Sequence, residues 1–156
     1  MTNPATTAAV WAGTVVDRLG LGGRCRIDVT TVPEGRPSPA PLPGPDAPYR
    51  SALTIAAPDG PSASSDGPPL DAGVYVTVTL DAEWTRVHLP LDLAPTDALV
   101  LLADRLQDWA VELTHGTALP PCPGHPHPMR AAVVDGAAVW CCPARPDGTG
   151  PLLPIA

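Results

Sequence analysis

The chain has 156 residues, a formal net charge of −7 and 44% hydrophobic side chains. That is enough for one domain with a real core and short for two. The basic residues are nine arginines with no run or stripe, so neither a nucleic-acid partner nor an anionic membrane surface is expected, because both need a positive face.

Phe and Lys are absent, Asn occurs only at Asn3, and there are 23 prolines and 14 glycines. This is the codon bias of a GC-rich genome, such as an actinobacterium's, so the proline content is discounted as a sign of disorder. With four Trp and two Tyr, the core must be filled mainly by Val, Leu and Ala. The start, Met1-Thr2-Asn3-Pro4, has no basic segment followed by an apolar run. No stretch reaches the roughly 18 apolar residues of a membrane span. The expectation is a cytoplasmic protein, where clustered cysteines are metal ligands or inert thiols more often than disulfides.

In chain order, residues 4–19 read as a helix. Ala8, Ala9, Trp11, Ala12, Val15, Val16 and Leu19 recur at helical spacing, and Gly20, Gly22 and Gly23 end it. Arg24–Val32 alternates, with Cys25, Ile27 and Val29 on one face, and reads as a half-buried strand. A proline-rich loop at 33–48 precedes a second alternating run, Tyr49–Ala57, with Leu53 and Ile55 inward. Another loose loop, 58–72, leads to the strongest strand, Gly73–Leu80, with Val74, Val76, Val78 and Leu80 inward. Glu83–Leu91 follows after Asp81-Ala82 and forms a hairpin with it. Pro95 opens the second helix, whose apolar stripe is Leu99, Leu102, Leu106, Trp109 and Leu113. Asp97 suits its first turn, and Gly116 its stop. In the tail, Asp135-Gly136 joins Met129–Val134 to Ala137–Cys142, a strong two-residue hairpin signal. Residues from Ala144 onward read as loose apart from Leu152 and Leu153.

The expected fold is α+β: an antiparallel sheet of four or more strands with both helices on one face, plus a C-terminal β-hairpin. A main domain at 1–118 is followed by a hairpin and knuckle extension at 119–156. The order of elements resembles that of type III secretion chaperone-like folds, in order alone. Trp11, Val15, Ile27, Leu53, Ile55, Val76, Val78, Leu102, Leu106 and Trp109 are expected to share one core.

Reactive side chains gather in the tail, in Cys122-Pro123-Gly124-His125-Pro126-His127 and in Trp140-Cys141-Cys142-Pro143. Proline pushes the residue before it into extended conformations. A polyproline-like segment repeats every three residues, so Cys122 and His125 would point one way and His127 elsewhere unless the loop bends. Counting outward from Asp135-Gly136 pairs Met129 with Cys142. That brings Cys142 beside the Cys122–His127 loop, where a short-spaced ligand pair meets a distant one, as a tetrahedral zinc site needs.

The tail here resembles a zinc ribbon, a module with two Cys-Pro-x-Cys knuckles at the base of a hairpin. Cys122-Pro123-Gly124-His125 matches one knuckle, with His in place of the second Cys. Cys142-Pro143-Ala144-Arg145 is broken, because Arg145 cannot bind a cation. The resemblance covers the tail alone. It implies zinc held by Cys122, His125 and Cys142, with His127 or Cys141 as the fourth ligand; the alternatives are a three-coordinate site, or a metal-free remnant in which a proline-rich loop and buried thiols pack against Trp140. Cys141 lies on the opposite strand face from Cys142, which favours His127.

The other reactive residues read as ordinary. Cys25 is a core thiol, His88 a surface or half-buried residue on one strand face with Trp84 and Arg86, and His115 a histidine in the last helical turn, suited to the dipole. A vicinal Cys141–Cys142 disulfide does not fit a reducing compartment. Cys122 and His125 as nucleophile and base lack a third orienting group. There is no GxGxxG, Walker loop, HExxH or GxSxG. The leading functional reading is a small protein-binding or adaptor module stabilised by structural zinc. The alternatives are an enzyme using an open zinc position or a reactive thiol, and a small-ligand or metal sensor.

Overall fold

A computed structural model describes residues 3–33, 72–145 and 148–156. The expected strand Tyr49–Ala57, with Leu53 and Ile55, lies outside the described residues, as does almost all of the loops at 33–48 and 58–72. Helix α1 spans Pro4–Arg18. Asn3 caps it by accepting a hydrogen bond from the Ala5 amide at 2.9 Å, and Pro4 occupies a first-turn position where no amide is missed. The helix ends where Gly20 turns left-handed at φ 75°. The Leu21 amide then reaches back to the Val16 carbonyl and the Gly20 amide to Asp17, which satisfies the last carbonyls and buries Leu21.

Three strands follow: β1 (Arg26–Val32), β2 (Gly73–Leu80) and β3 (Glu83–Pro90), in the antiparallel order β1-β2-β3. β2 is central, and the alternation carries Val74, Val76, Val78 and Leu80 to the core side, all buried. Asp81, at φ 54°, turns the β2–β3 hairpin. On the outer face, Arg86 lies over the rings of Tyr75 and Trp84 at 5.6 and 5.7 Å.

Helix α2 spans Pro95–Leu113. It stops where His115 takes a left-handed conformation at φ 54°, followed by Gly116 at φ 89°. The Gly116 amide bonds the Val111 carbonyl and the His115 amide bonds Glu112. His115 therefore lies past the helix, exposed, rather than in its last turn. The buried face of α2 is wider than the expected stripe. Besides Leu99, Leu102, Leu106 and Trp109 it takes in Ala98, Ala103, Gln107 and Ala110.

The extra width has a cause in the second half of the fold. β4 (Arg130–Val134), β5 (Ala137–Cys141) and β6 (Leu152–Pro154) form a separate antiparallel sheet in the order β4-β5-β6. Helix α1 packs on β1 and β2, while α2 packs on α1, on β3, and on β4 and β5. So α2 sits between two sheets and needs two apolar sides. The described strands make two three-stranded sheets, not one sheet of four or more, and β6 adds an unexpected strand beside β5. One cluster of buried residues joins both halves, from Ala8 and Val15 through Val76, Leu102 and Leu106 to Met129, Trp140 and Ile155. Trp11 and Ile27 pack against it half-buried. No described helix is long and apolar enough to cross a membrane.

Candidate metal centre

The centre begins with a tight turn. Cys122-Pro123-Gly124-His125 closes through a hydrogen bond from the His125 amide to the Cys122 carbonyl at 3.1 Å, with Gly124 at φ 78°. Pro at the second position and a left-handed Gly at the third are the requirements of a type II turn. The segment is therefore bent rather than polyproline-like. The Cys122 amide then bonds the His127 carbonyl, and Pro121 pairs with Pro128 across the base. This fold-back brings His127 round to the same side as Cys122 and His125, which a regular three-residue repeat would not do.

Cys142 arrives from the hairpin. Asp135 (φ 50°) and Gly136 (φ 77°) form the two-residue turn, with Val134 opposite Ala137 and Arg130 opposite Cys141. Continued by one residue, that register sets Cys142 against Met129, at the foot of the ligand loop. Cys142 also opens a turn of its own, closed by the Arg145 amide on the Cys142 carbonyl at 2.9 Å. The broken knuckle thus keeps the backbone of a knuckle without its second ligand.

One potential ligand atom from each of Cys122, His125, His127 and Cys142 lies within 4.8 Å of all the others. His125 Nδ1 is 3.4 Å from Cys122 Sγ and 3.5 Å from Cys142 Sγ. Donors about 2.3 Å (S) and about 2.0 Å (N) from one tetrahedral ion stand about 3.5 Å apart, so these spacings fit zinc-sized coordination. His127 Nδ1 lies 3.0 Å from the Pro128 carbonyl oxygen. That oxygen can only accept, so Nδ1 carries the proton and Nε2 is left as the free donor, the usual way a carbonyl orients a ligating imidazole. The two imidazoles stack at 4.9 Å.

The two sides of the centre differ. Both thiols are buried, His125 is exposed and His127 is half-buried. Burial pushes the Cys122 thiol up, and the adjacent Cys142 sulfur, as hydrogen-bond partner and as charge, pushes it further. A divalent cation reverses that push by stabilising the Cys122 thiolate.

Cys141 is fully buried but outside the group, and His127 completes the set of four. Cys25, just before β1, is outside the four-donor group and packs half-buried against the core, and desolvation raises its thiol. His88 packs on Tyr75 with ring centroids 5.0 Å apart. Its Nε2 is buried with no hydrogen-bond partner among the described residues.

The residue that sequence reasoning missed is Gln107. It is the only buried polar or charged side chain among the described residues. Its Nε2 donates to the Leu119 carbonyl at 2.8 Å and also to the Met129 carbonyl. The signal was present: a polar residue next to Leu106 on the apolar side of an otherwise regular stripe. The Leu119 and Met129 carbonyls stand at the two ends of the segment that holds Cys122, His125 and His127.

No family model matches the chain, and neither a curated protein nor a solved structure does. The centre has to be read from its own chemistry.

Proposed function

We propose that the chain is a small protein-binding or adaptor module whose C-terminal half is held together by structural zinc on Cys122, His125, His127 and Cys142. The observation that carries the metal reading is the set of four donors within 4.8 Å of one another, supplied by a turn and a distant hairpin end. Two sulfurs and two imidazole nitrogens suit zinc. Four protein donors fill a tetrahedral shell and leave no position for a reacting water, which favours a structural over a catalytic role. The adaptor reading is supported by the net charge of −7, which is wrong for phosphate backbones, and by the lack of any catalytic motif in the sequence.

Three measurements test the proposal. Metal analysis of the purified chain should give one zinc per chain. The apparent melting temperature should fall on addition of a strong chelator and recover with zinc. A chain that carries no zinc after refolding with the metal, and melts identically with and without chelator, defeats the metal reading. Affinity capture from the native host with the intact chain tests the adaptor reading, and the absence of any reproducible protein partner defeats it.

A further inference from the structure

We infer that Gln107 is the positioning residue of the metal centre, and that through it metal occupancy is transmitted to helix α2. The inference rests on the metal reading above. An amide nitrogen has two protons, and Gln107 Nε2 uses them on the Leu119 and Met129 carbonyls, one on each side of the ligand segment. The Met129 amide in turn bonds the Pro120 carbonyl at 2.8 Å. The base of the loop is thus fixed to itself and to α2 at once.

Two further facts make the clamp specific to the ligands. Cys122, His125 and His127 all lie between the clamped carbonyls. The fourth ligand, Cys142, comes opposite Met129 when the β4–β5 register, which ends with Arg130 opposite Cys141, is continued by one residue. Fixing the Met129 carbonyl therefore sets the loop ligands against the hairpin ligand. Core packing alone does not call for an amide here. Val76, Leu102, Leu106 and Trp140 are fully buried around the same helix without one, and an unmatched amide in a core is costly. The amide meets a need created by the loop, whose Met129 carbonyl would otherwise be buried without this donor.

The test compares wild type with Gln107→Met, which keeps the side chain's length without donors, and Gln107→Glu, which puts acceptors where the donors were. Zinc affinity is measured by competition with a chromophoric chelator. Cobalt(II) is then substituted for zinc, and its visible absorption reports ligand geometry. Either variant, once shown to be folded by circular dichroism, should bind zinc about 10- to 100-fold more weakly, the usual loss when an outer support of a metal ligand is removed. It should also give a displaced cobalt spectrum. A merely structural role would lower the melting temperature and leave both readouts unmoved. A folded variant with wild-type zinc affinity and wild-type cobalt bands overturns the inference.

If neither variant folds, the wild-type chain decides the matter by NMR. The Gln107 side-chain amide protons should exchange with solvent more slowly in the zinc form than in the zinc-free form. Equal exchange overturns the clamp. A wild-type chain that binds neither zinc nor cobalt removes the metal reading and the inference with it. That result is distinguishable from failure of the clamp alone, in which wild type and variants bind equally.

Discussion

Cys141 and Cys142 are neighbours in the chain and both fully buried, yet the pleat sends them to opposite sides and only Cys142 joins the four-donor group. Chemically identical substitutions at the two positions should therefore separate. Cys142→Ser should abolish stoichiometric zinc binding, while Cys141→Ser should keep it and lose only some packing. Zinc content after dialysis reads the difference directly, and equal zinc in both variants would mean that Cys142 is not a ligand. This much was readable from residue types, because a two-residue turn at Asp135-Gly136 leaves the register no freedom. His127 was favoured as a ligand only because Cys141 faced away, and the bend that brings it round was not readable. Proline neighbours implied a straight segment, and the bend comes from Gly124, whose left-handed φ of 78° is open to glycine at little cost. Gln107 escaped notice for another reason. Its value lies in two carbonyls far along the chain, which helical spacing does not reveal.

At the scale of elements, two glycines hold the strands to their partners. Gly136 occupies the second left-handed position of the β4–β5 turn, at φ 77°. Gly136→Ala should cost about 1–2 kcal/mol, the penalty for an L side chain in that region, measured by chemical denaturation. Gly73 works by space instead. A Cβ there would stand 2.6 Å from the Leu89 carbonyl oxygen and would also strike the His88 ring. Because one obstacle is backbone of the paired strand, Gly73→Ala should lower stability by about 1–3 kcal/mol, as overpacking does, despite alanine's small size. A denaturation midpoint equal to wild type would show that β3 can move aside. The strands β1, β2, β3, β4 and β5 were all marked by alternation or turn chemistry. The β2–β3 and β4–β5 pairings were legible from their turns, but the place of β1 beside β2 was not, since alternation fixes a buried face but names no partner. β6 left only the apolar pair Leu152-Leu153 as a trace, because three residues offer no alternation to read as a strand.

For the molecule as a whole, the deciding feature is that α2 lies between two sheets. Leu106 is fully buried in the cluster that spans both halves. Leu106→Ala should cost about 2–5 kcal/mol, in a single unfolding transition seen alike by Trp fluorescence and far-ultraviolet circular dichroism. A cost near zero would mean that the helix is not packed as described. The same placement can be restated in terms of time. Amide protons leave a folded chain at rates set by how much of it must open first. The amides of Leu102, Ala103, Leu106, Gln107, Trp109 and Ala110, on the buried face of α2, stay covered until one sheet or the other has come away, while Asp104, Arg105 and Asp108 are exposed. The covered amides should exchange most slowly of all, β1, at the edge of its sheet, should exchange much sooner, and removal of zinc should quicken α2 mainly around Gln107. An exchange map from mass spectrometry would show this order. If α2 proved no slower than β1, the two halves would be breathing independently of the helix between them.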